Sequence, residues 1–249
     1  MGATVCTAVV GDPALELVAA VDPFHAGLDI RQVTGLDLPL QFAAGSEAFT
    51  DAGVQVVIDF THLEPARENL AWLAEHGIHA VVGTTGFDEA DYQRFAATFT
   101  SSNCVIAPNF AIGAVLMMRF AELAAPYFET AEIIELHHDQ KLDAPSGTAM
   151  HTARRMAAAS ADWSDDPTQT FVVEGARGGP TESGIVIHSV RLRGMVAHQE
   201  VLLGTTGQSL TIRHDSYDRT SFMPGVLLAA KKVADHPGLT IGLEHLLDL

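Results

Sequence analysis

Basic side chains are scarce: 14 Lys and Arg stand against 31 Asp and Glu, a formal charge of −17 at pH 7 with a pI near 4.9. Such a field repels nucleic acid and anionic membrane surfaces, which excludes both as partners. Cysteine is scarcer still. Cys6 and Cys104 are the only two, too few for a disulfide framework, and this fits a reducing cytoplasm. No apolar run approaches membrane-spanning length, and the N-terminus carries neither a basic n-region nor a signal-like apolar stretch. Met1-Gly2 could open a myristoylation site, but Cys6 stands where Ser or Thr is needed. What is present, 47% apolar and 18% charged residues in 249 positions, suits a compact soluble protein of one large domain or two small ones.

A further absence concerns order along the chain. Residues 2–10 read as a helix with Val5, Val9 and Val10 on one side, ended by Asp12-Pro13. Residues 15–21 then read as a strand with Asp22 at its end. A nucleotide-binding unit begins with a strand and a Gly-rich turn before such a helix, and neither precedes this one. After an irregular connection at 23–45, a short helix at 46–52 leads to a strand at 54–60, apolar enough to be buried on both faces. Thr61 can cap the next helix, whose core face includes Leu70 and Leu73 and which Gly77 closes. A strand at 78–82 runs into Gly83-Thr-Thr-Gly86, a helix starts near Asp88, and a strand at 103–107 ends in Pro108-Asn109-Phe110. This alternation predicts a doubly wound, Rossmann-like parallel sheet.

Ligands of such sheets sit beyond the carboxyl ends of strands. Phe60, Gly83, Thr84, Thr85, Ala107, Pro108, Asn109 and Phe110 all fall at those ends. Glycines there let a backbone approach a ligand closely and threonines supply hydroxyls, although tight turns after strands use the same residues. Asp22, at the end of the second strand, can accept hydrogen bonds from adenosine ribose hydroxyls and disfavour a 2′-phosphate, leaning toward NADH over NADPH. Asp22-Pro23 is also a strand-end turn.

The pattern changes after the helix from Ile112 to about residue 125. A strand at 131–136, a helix at 148–158 and a polar loop at 160–168 precede four apparent strands at 169–173, 184–192, 197–203 and 209–214. No helices separate these, so pairing is antiparallel or mixed, in a second α+β domain whose open sheet face or edge is a candidate oligomer surface. A helix lies within 216–234, and 235–249 read as an apolar tail packed on the first domain.

Between the 131–136 strand and the 148–158 helix lies the chemically densest stretch, Glu135-Leu-His-His-Asp-Gln-Lys141-Leu-Asp-Ala-Pro-Ser-Gly-Thr-Ala149. His137, His138, Asp139 and Lys141 fall within five residues, beside the free N–H groups of a helix start. That suits holding an anion while moving a proton. Paired histidines beside a lysine also occur as a plain polar loop. A metal site lacks a third ligand at zinc spacing, since His151 lies far along the next helix.

Together with Val82-Gly-Thr-Thr-Gly-Phe87, Ala107-Pro-Asn-Phe-Ala-Ile-Gly113, Val196-Ala-His-Gln-Glu200 and Arg213-His-Asp-Ser-Tyr-Asp-Arg219, this stretch resembles the 4-hydroxy-tetrahydrodipicolinate reductase (dihydrodipicolinate reductase) family of the diaminopimelate route to lysine, closest to its actinobacterial branch. The likeness covers nearly the whole chain. It implies reduction of a cyclic dicarboxylate with NADH or NADPH, a dinucleotide-binding domain of residues 1–110 and 217–249, a substrate and oligomerisation domain of residues 111–216, and a cytoplasmic homotetramer. His137 is then the acid that protonates the ring and Lys141 a second donor. His138, Ser146 and the N–H groups of Gly147 and Thr148 hold the carboxylates, while Asp143 and Pro145 shape the turn. Gly83, Thr84 and Thr85 lie along the nicotinamide half of the cofactor. Met1-Gly2 matches the tail of the family's Gly-rich loop, so the chain is expected to start about a dozen residues late, with a split sheet, lower stability and weaker cofactor binding. Three other readings remain at this stage: a different NAD(P)-linked reductase, a folded oligomer that no longer binds cofactor, and a binding-only module for small dicarboxylates.

Overall fold

Strand and helix alternate up to residue 106 in the computed structural model, which describes residues 1–247. The chain divides into two compact units, Met1–Ile112 with Arg219–Leu249, and Gly113–Asp218.

The first unit opens with helix α1 (Gly2–Gly11), which buries Val5, Cys6 and Val9. Val10 is exposed, a correction to the expected stripe: positions 5, 6 and 9 share one helix face and Val10 lies round its side. Strand β1 is only Ala20–Val21, shorter than the apolar run at 15–21, because its one partner is equally short. The connection at 23–45 is not irregular. Asp29 and Gln32 form a capping box that starts α2 (Ile30–Thr34), Gly35 ends it at φ +79°, and β2 (Phe42–Ala43) pairs parallel with β1. Ile30 and Phe42 pack with Cys6 and Ala20 in a small core.

Helix α3 (Glu47–Asp51) leads to β3 (Val56–Asp59), α4 (Leu63–Glu75), β4 (His79–Val82), α5 (Glu89–Thr98) and β5 (Cys104–Ile106). The three strands run parallel, with Asp59, Val82 and Ile106 in register. β3 is not buried on both faces: Val56 and Ile58 are half-buried, because this strand has a sheet neighbour on one side only. Thr61 does not cap α4. Its hydroxyl donates to the Asp59 carboxylate at 2.7 Å, and His62 occupies the cap position without a side-chain bond. Leu70 and Leu73 have no exposed surface, and Asp88 caps α5 through a capping box with Asp91.

Helix α6 (Ile112–Ala124) begins the part of the chain that forms the second unit. Then come β6 (Thr130–His137), α7 (Gly147–Ala159), β7 (Gly179–Pro180), β8 (Val186–Arg191), β9 (Ala197–Thr205) and β10 (Gln208–Ser216). They form a mixed sheet of order β10-β9-β6-β8-β7, in which only β6 and β8 are parallel. Residues 169–173 are not a strand. Despite their β-forming composition they find no sheet partner, and Phe171, Val172 and Val173 are exposed. On one face of this sheet an apolar row of Ile212, Val201, Ile133 and Ile187 gives way to His214, Gln199, Glu135 and Ser189, and then to Ser216, Ala197, His137 and Arg191. The polar rows lie toward the end of β6.

The chain returns to the first unit with α8 (Met223–Lys232) and β11 (Leu239–Ile241). The tail is therefore not merely packed on the unit; β11 extends the sheet to the order β11-β5-β4-β3. Asn103 locks it there, donating to the carbonyls of Val233 and Ala234 and accepting from the Gly238 N–H. A Cβ at Gly225 in α8 would stand 2.1 Å from the Phe110 carbonyl oxygen. Alanine is the better helix former by roughly 1 kcal/mol, yet Gly225→Ala is expected to destabilise the protein by about 1–3 kcal/mol through overpacking. Urea unfolding midpoints check this, and an unchanged midpoint would contradict the close approach.

Candidate active site

At the end of β6 the sheet buries a carboxylate. Glu135 has no exposed surface, a costly position for a charge unless it is paired and fully hydrogen-bonded. It is both. Arg191 donates from Nη1 and Nη2 at 2.8 Å each, the Ser146 N–H donates at 3.2 Å, and Nδ1 of His137 lies 2.5 Å away. Burial pushes the Glu135 carboxyl up, but Arg191, Ser189 and His137 outweigh it and hold the group below its ordinary range. Strand periodicity makes the Glu135–His137 contact, since residues two apart point to the same face.

Arg191 also donates to the Asp143 carbonyl at 2.7 Å, and Lys141 forks onto the Asp143 carboxylate at 2.7 and 2.8 Å. His137 and Lys141 are thereby joined through Glu135, Arg191 and Asp143. Burial lowers the His137 pKa, Glu135 opposes this, and Lys141 and Arg191 add to the lowering. His138, next in the chain, is exposed. Ser146 caps α7: its Oγ accepts from the Ala149 N–H at 3.2 Å, which leaves the hydroxyl hydrogen free to donate. Gly147 and Thr148 form the first turn, whose N–H groups have no partner within the helix. A Cβ at Gly147 would meet nothing within 4 Å.

In the first unit the residues expected to bind cofactor follow the aligned strand ends. Phe60, Gly83, Ala107 and Gly242 come directly after the row Asp59, Val82, Ile106 and Ile241. A Cβ at Gly83 would lie 2.0 Å from the Phe60 ring, so only glycine permits this packing. Phe60 in turn meets Phe110 with centroids 5.8 Å apart. Thr84 is buried and donates to the Thr61 carbonyl at 2.8 Å, while Thr85 and Pro108 are exposed. Asn109 accepts from the Ala111 N–H at 2.9 Å, and Ala107 is buried. Gly2 opens α1, whose first turn has neither a side-chain cap nor an acidic residue, leaving its N–H groups for an anion. Asp22 is built into a turn, with Oδ1 accepting from the Phe24 N–H at 2.9 Å and Oδ2 2.8 Å from His25 Nδ1. A carboxylate has about four acceptor positions, so others remain. An open edge of glycine backbone, flat aromatic surface and an uncapped helix start fits a dinucleotide.

Sequence reading missed Glu135, Arg191 and Asp59. Asp59 is buried and accepts from the Thr61 N–H and hydroxyl and from Asn69 Nδ2, at 2.7–2.8 Å. The i, i+2 spacing of Glu135 and His137 is the one signal that was available. Among the described residues no group of three or more His, Cys, Asp or Glu side chains could hold a metal ion, and no helix is long and apolar enough to cross a membrane.

Known proteins share this fold. Family models described as "Dihydrodipicolinate reductase, N-terminus" and "Dihydrodipicolinate reductase, C-terminus" match residues 1–110 and 113–247. The chain is 54% identical over 235 residues to the 4-hydroxy-tetrahydrodipicolinate reductase of Mycobacterium sp. (strain KMS), covering 92% of this chain and 93% of that one. It is 50% identical over 256 residues to the Nocardia farcinica enzyme of the same name, covering 100% and 95%. Among solved structures it is similar to the dipicolinate-bound dihydrodipicolinate reductase of Paenisporosarcina sp. TG-14, with a TM-score of 0.86 and 39% identity over 97% of this chain and 93% of that one. With both halves matched by the family models and 50–54% identity to the Nocardia and Mycobacterium enzymes, the chain belongs to the dihydrodipicolinate reductase family.

Proposed function

We propose that this protein reduces 4-hydroxy-tetrahydrodipicolinate to tetrahydrodipicolinate in the diaminopimelate route to lysine. The observation that carries the reading is His137, tied at Nδ1 to a buried carboxylate beside the first turn of α7. When bound, a nicotinamide cofactor supplies the hydride. The chain's own share is to hold a twice-negative ring, deliver one proton and shield the developing charge. With Nδ1 engaged, His137 has Nε2 for the proton transfer. Ser146 Oγ–H, the N–H groups of Gly147 and Thr148, and His138 receive the carboxylates. Lys141 is held by an exposed ion pair to Asp143, weakly enough that an incoming anion can replace that partner.

The cofactor's residues are Gly2, Asp22, Phe60, Gly83, Thr84, Thr85, Ala107, Pro108, Asn109 and Phe110, all in the first unit, and the substrate's are in the second. Ile134, Leu136 and Leu202, half-buried on the sheet face away from Glu135, are our candidate contact for a homotetramer. Cys6 and Cys104, both buried and unbonded, suit a cytoplasmic protein.

Two substitutions test this reading. His137→Gln is expected to lower kcat by about 10²–10⁴-fold with cofactor affinity unchanged, and Lys141→Ala to lower kcat/KM by roughly 10²-fold. Steady-state rates on the dicarboxylate check both, and parental rates in either variant would remove that residue from the mechanism.

The proton donor must be charged to act, and its pKa lies below the ordinary 6.5 in the free protein. The kcat/KM profile should therefore fall as pH rises through a midpoint below 6.5. The kcat profile should hold to higher pH, because a bound dianion favours the imidazolium. A kcat midpoint at or below that of kcat/KM would contradict the assignment.

Asp22 should make NADH bind more tightly than NADPH, and Asp22→Ser should narrow the difference. Fluorescence titration measures both affinities; an unchanged ratio in the variant leaves Asp22 as a turn residue only.

A further inference from the structure

The Glu135 carboxylate has a reason to be ionised inside the sheet that packing alone does not supply. Its four hydrogen bonds come from three residues on separate pieces of chain: Arg191 gives two bonds from β8, Ser146 one from the start of α7, and His137 one from its own strand. Arg191 faces it because β6 and β8 run parallel with His137 and Arg191 in register. The bidentate guanidinium keeps Glu135 an anion, and an anion accepts hydrogen bonds without donating any. His137 Nδ1 must therefore carry a hydrogen whether the ring is neutral or charged. Nε2 is then the one ring nitrogen that gains and loses a proton.

Resting on the reductase reading, we propose that Glu135 is the positioning residue for the acid: it fixes the hydrogen on Nδ1 of His137, so that Nε2 is the atom that hands a proton to substrate, and Arg191 keeps Glu135 charged and aimed. Because Ser146 is bound to the same carboxylate, the donor and the carboxylate-binding helix start share one anchor. Glu135 does not touch the reacting atoms; it acts through His137.

Nitrogen-15 NMR of the unliganded full chain reads the tautomer directly. In the parent protein neutral His137 should carry hydrogen on Nδ1, with a bare Nε2. In Glu135→Gln the side chain can present an NH₂ to Nδ1, and the hydrogen should move to Nε2. The pH at which kcat/KM falls should also drop, because the carboxylate that raises the His137 pKa is gone, and kcat should fall on the order of 10²-fold. Glu135→Asp keeps the charge and should retain the parental tautomer. A parent protein with hydrogen on Nε2 overturns the proposal without any variant, which covers the case of a Gln variant that does not fold. So does a folded Gln variant whose melting temperature falls while tautomer and pH midpoint stay put. The tautomer is read without substrate, so it decides the Glu135 assignment, while parental turnover of the dicarboxylate separately decides the reductase reading.

Discussion

A charge removed from water must be met by donors from its surroundings, and Glu135 recruits them from three directions. Two strands and a helix start converge on one carboxylate, with the Asp143 carbonyl brought in through Arg191. The stretch from His137 to Thr148 thus has fixed points at both ends, although its middle is exposed. Removing the carboxylate would leave a guanidinium and a buried N–H unpaired together, which is why such a group is costly to lose.

The first unit uses the same device. Asp59 closes β3 and receives the Thr61 N–H and hydroxyl and the Asn69 amide. Thr84, from the turn after β4, reaches the Thr61 carbonyl. One buried acid therefore braces the loops after two neighbouring strands, and Phe60 is held between them over Gly83. In both units a carboxylate near a strand end gives a loop the rigidity that loops otherwise lack, by satisfying backbone and side-chain donors away from water.

This explains which features sequence could reveal. His137, Lys141 and the Ser146 cap lie within one local stretch, and their roles follow from neighbours along the chain. Glu135 stands in the same stretch, yet its burial is visible only once the sheet exists. Arg191 is 56 residues from Glu135 in sequence, and no periodicity announces a parallel β6–β8 pair. The long apolar strands and the helices capped by Asp88 and Ser146 were legible because their signals are intrinsic. The two-residue β2 and the three-residue β11 were not, since their hydrogen bonds are dictated by β1 and β5. Residues 169–173 show the converse, a strand-like composition that finds no partner.

The acidity of the chain makes the location of its anion-binding groups informative. At −17 overall, a site for a dianionic ring and a dinucleotide cannot rely on the protein's general field, which is screened within about 8–10 Å in physiological salt. Local sources must suffice. Arg191 is already neutralised by Glu135, so its charge serves architecture. Lys141 is matched by Asp143, but that partner is exposed and exchangeable. What remains are backbone N–H groups at the first turns of α1 and α7, neither of which has an acidic residue. Acidic residues do occupy the first turns of α4 and α5, where a negative side chain stabilises the helix. The two helix starts proposed for anions carry no side-chain carboxylate, a property they share with α2, α6 and α8, in a chain where acids outnumber bases by more than two to one. An Asp or Glu in either of these first turns would stabilise its helix but would repel an anion held there.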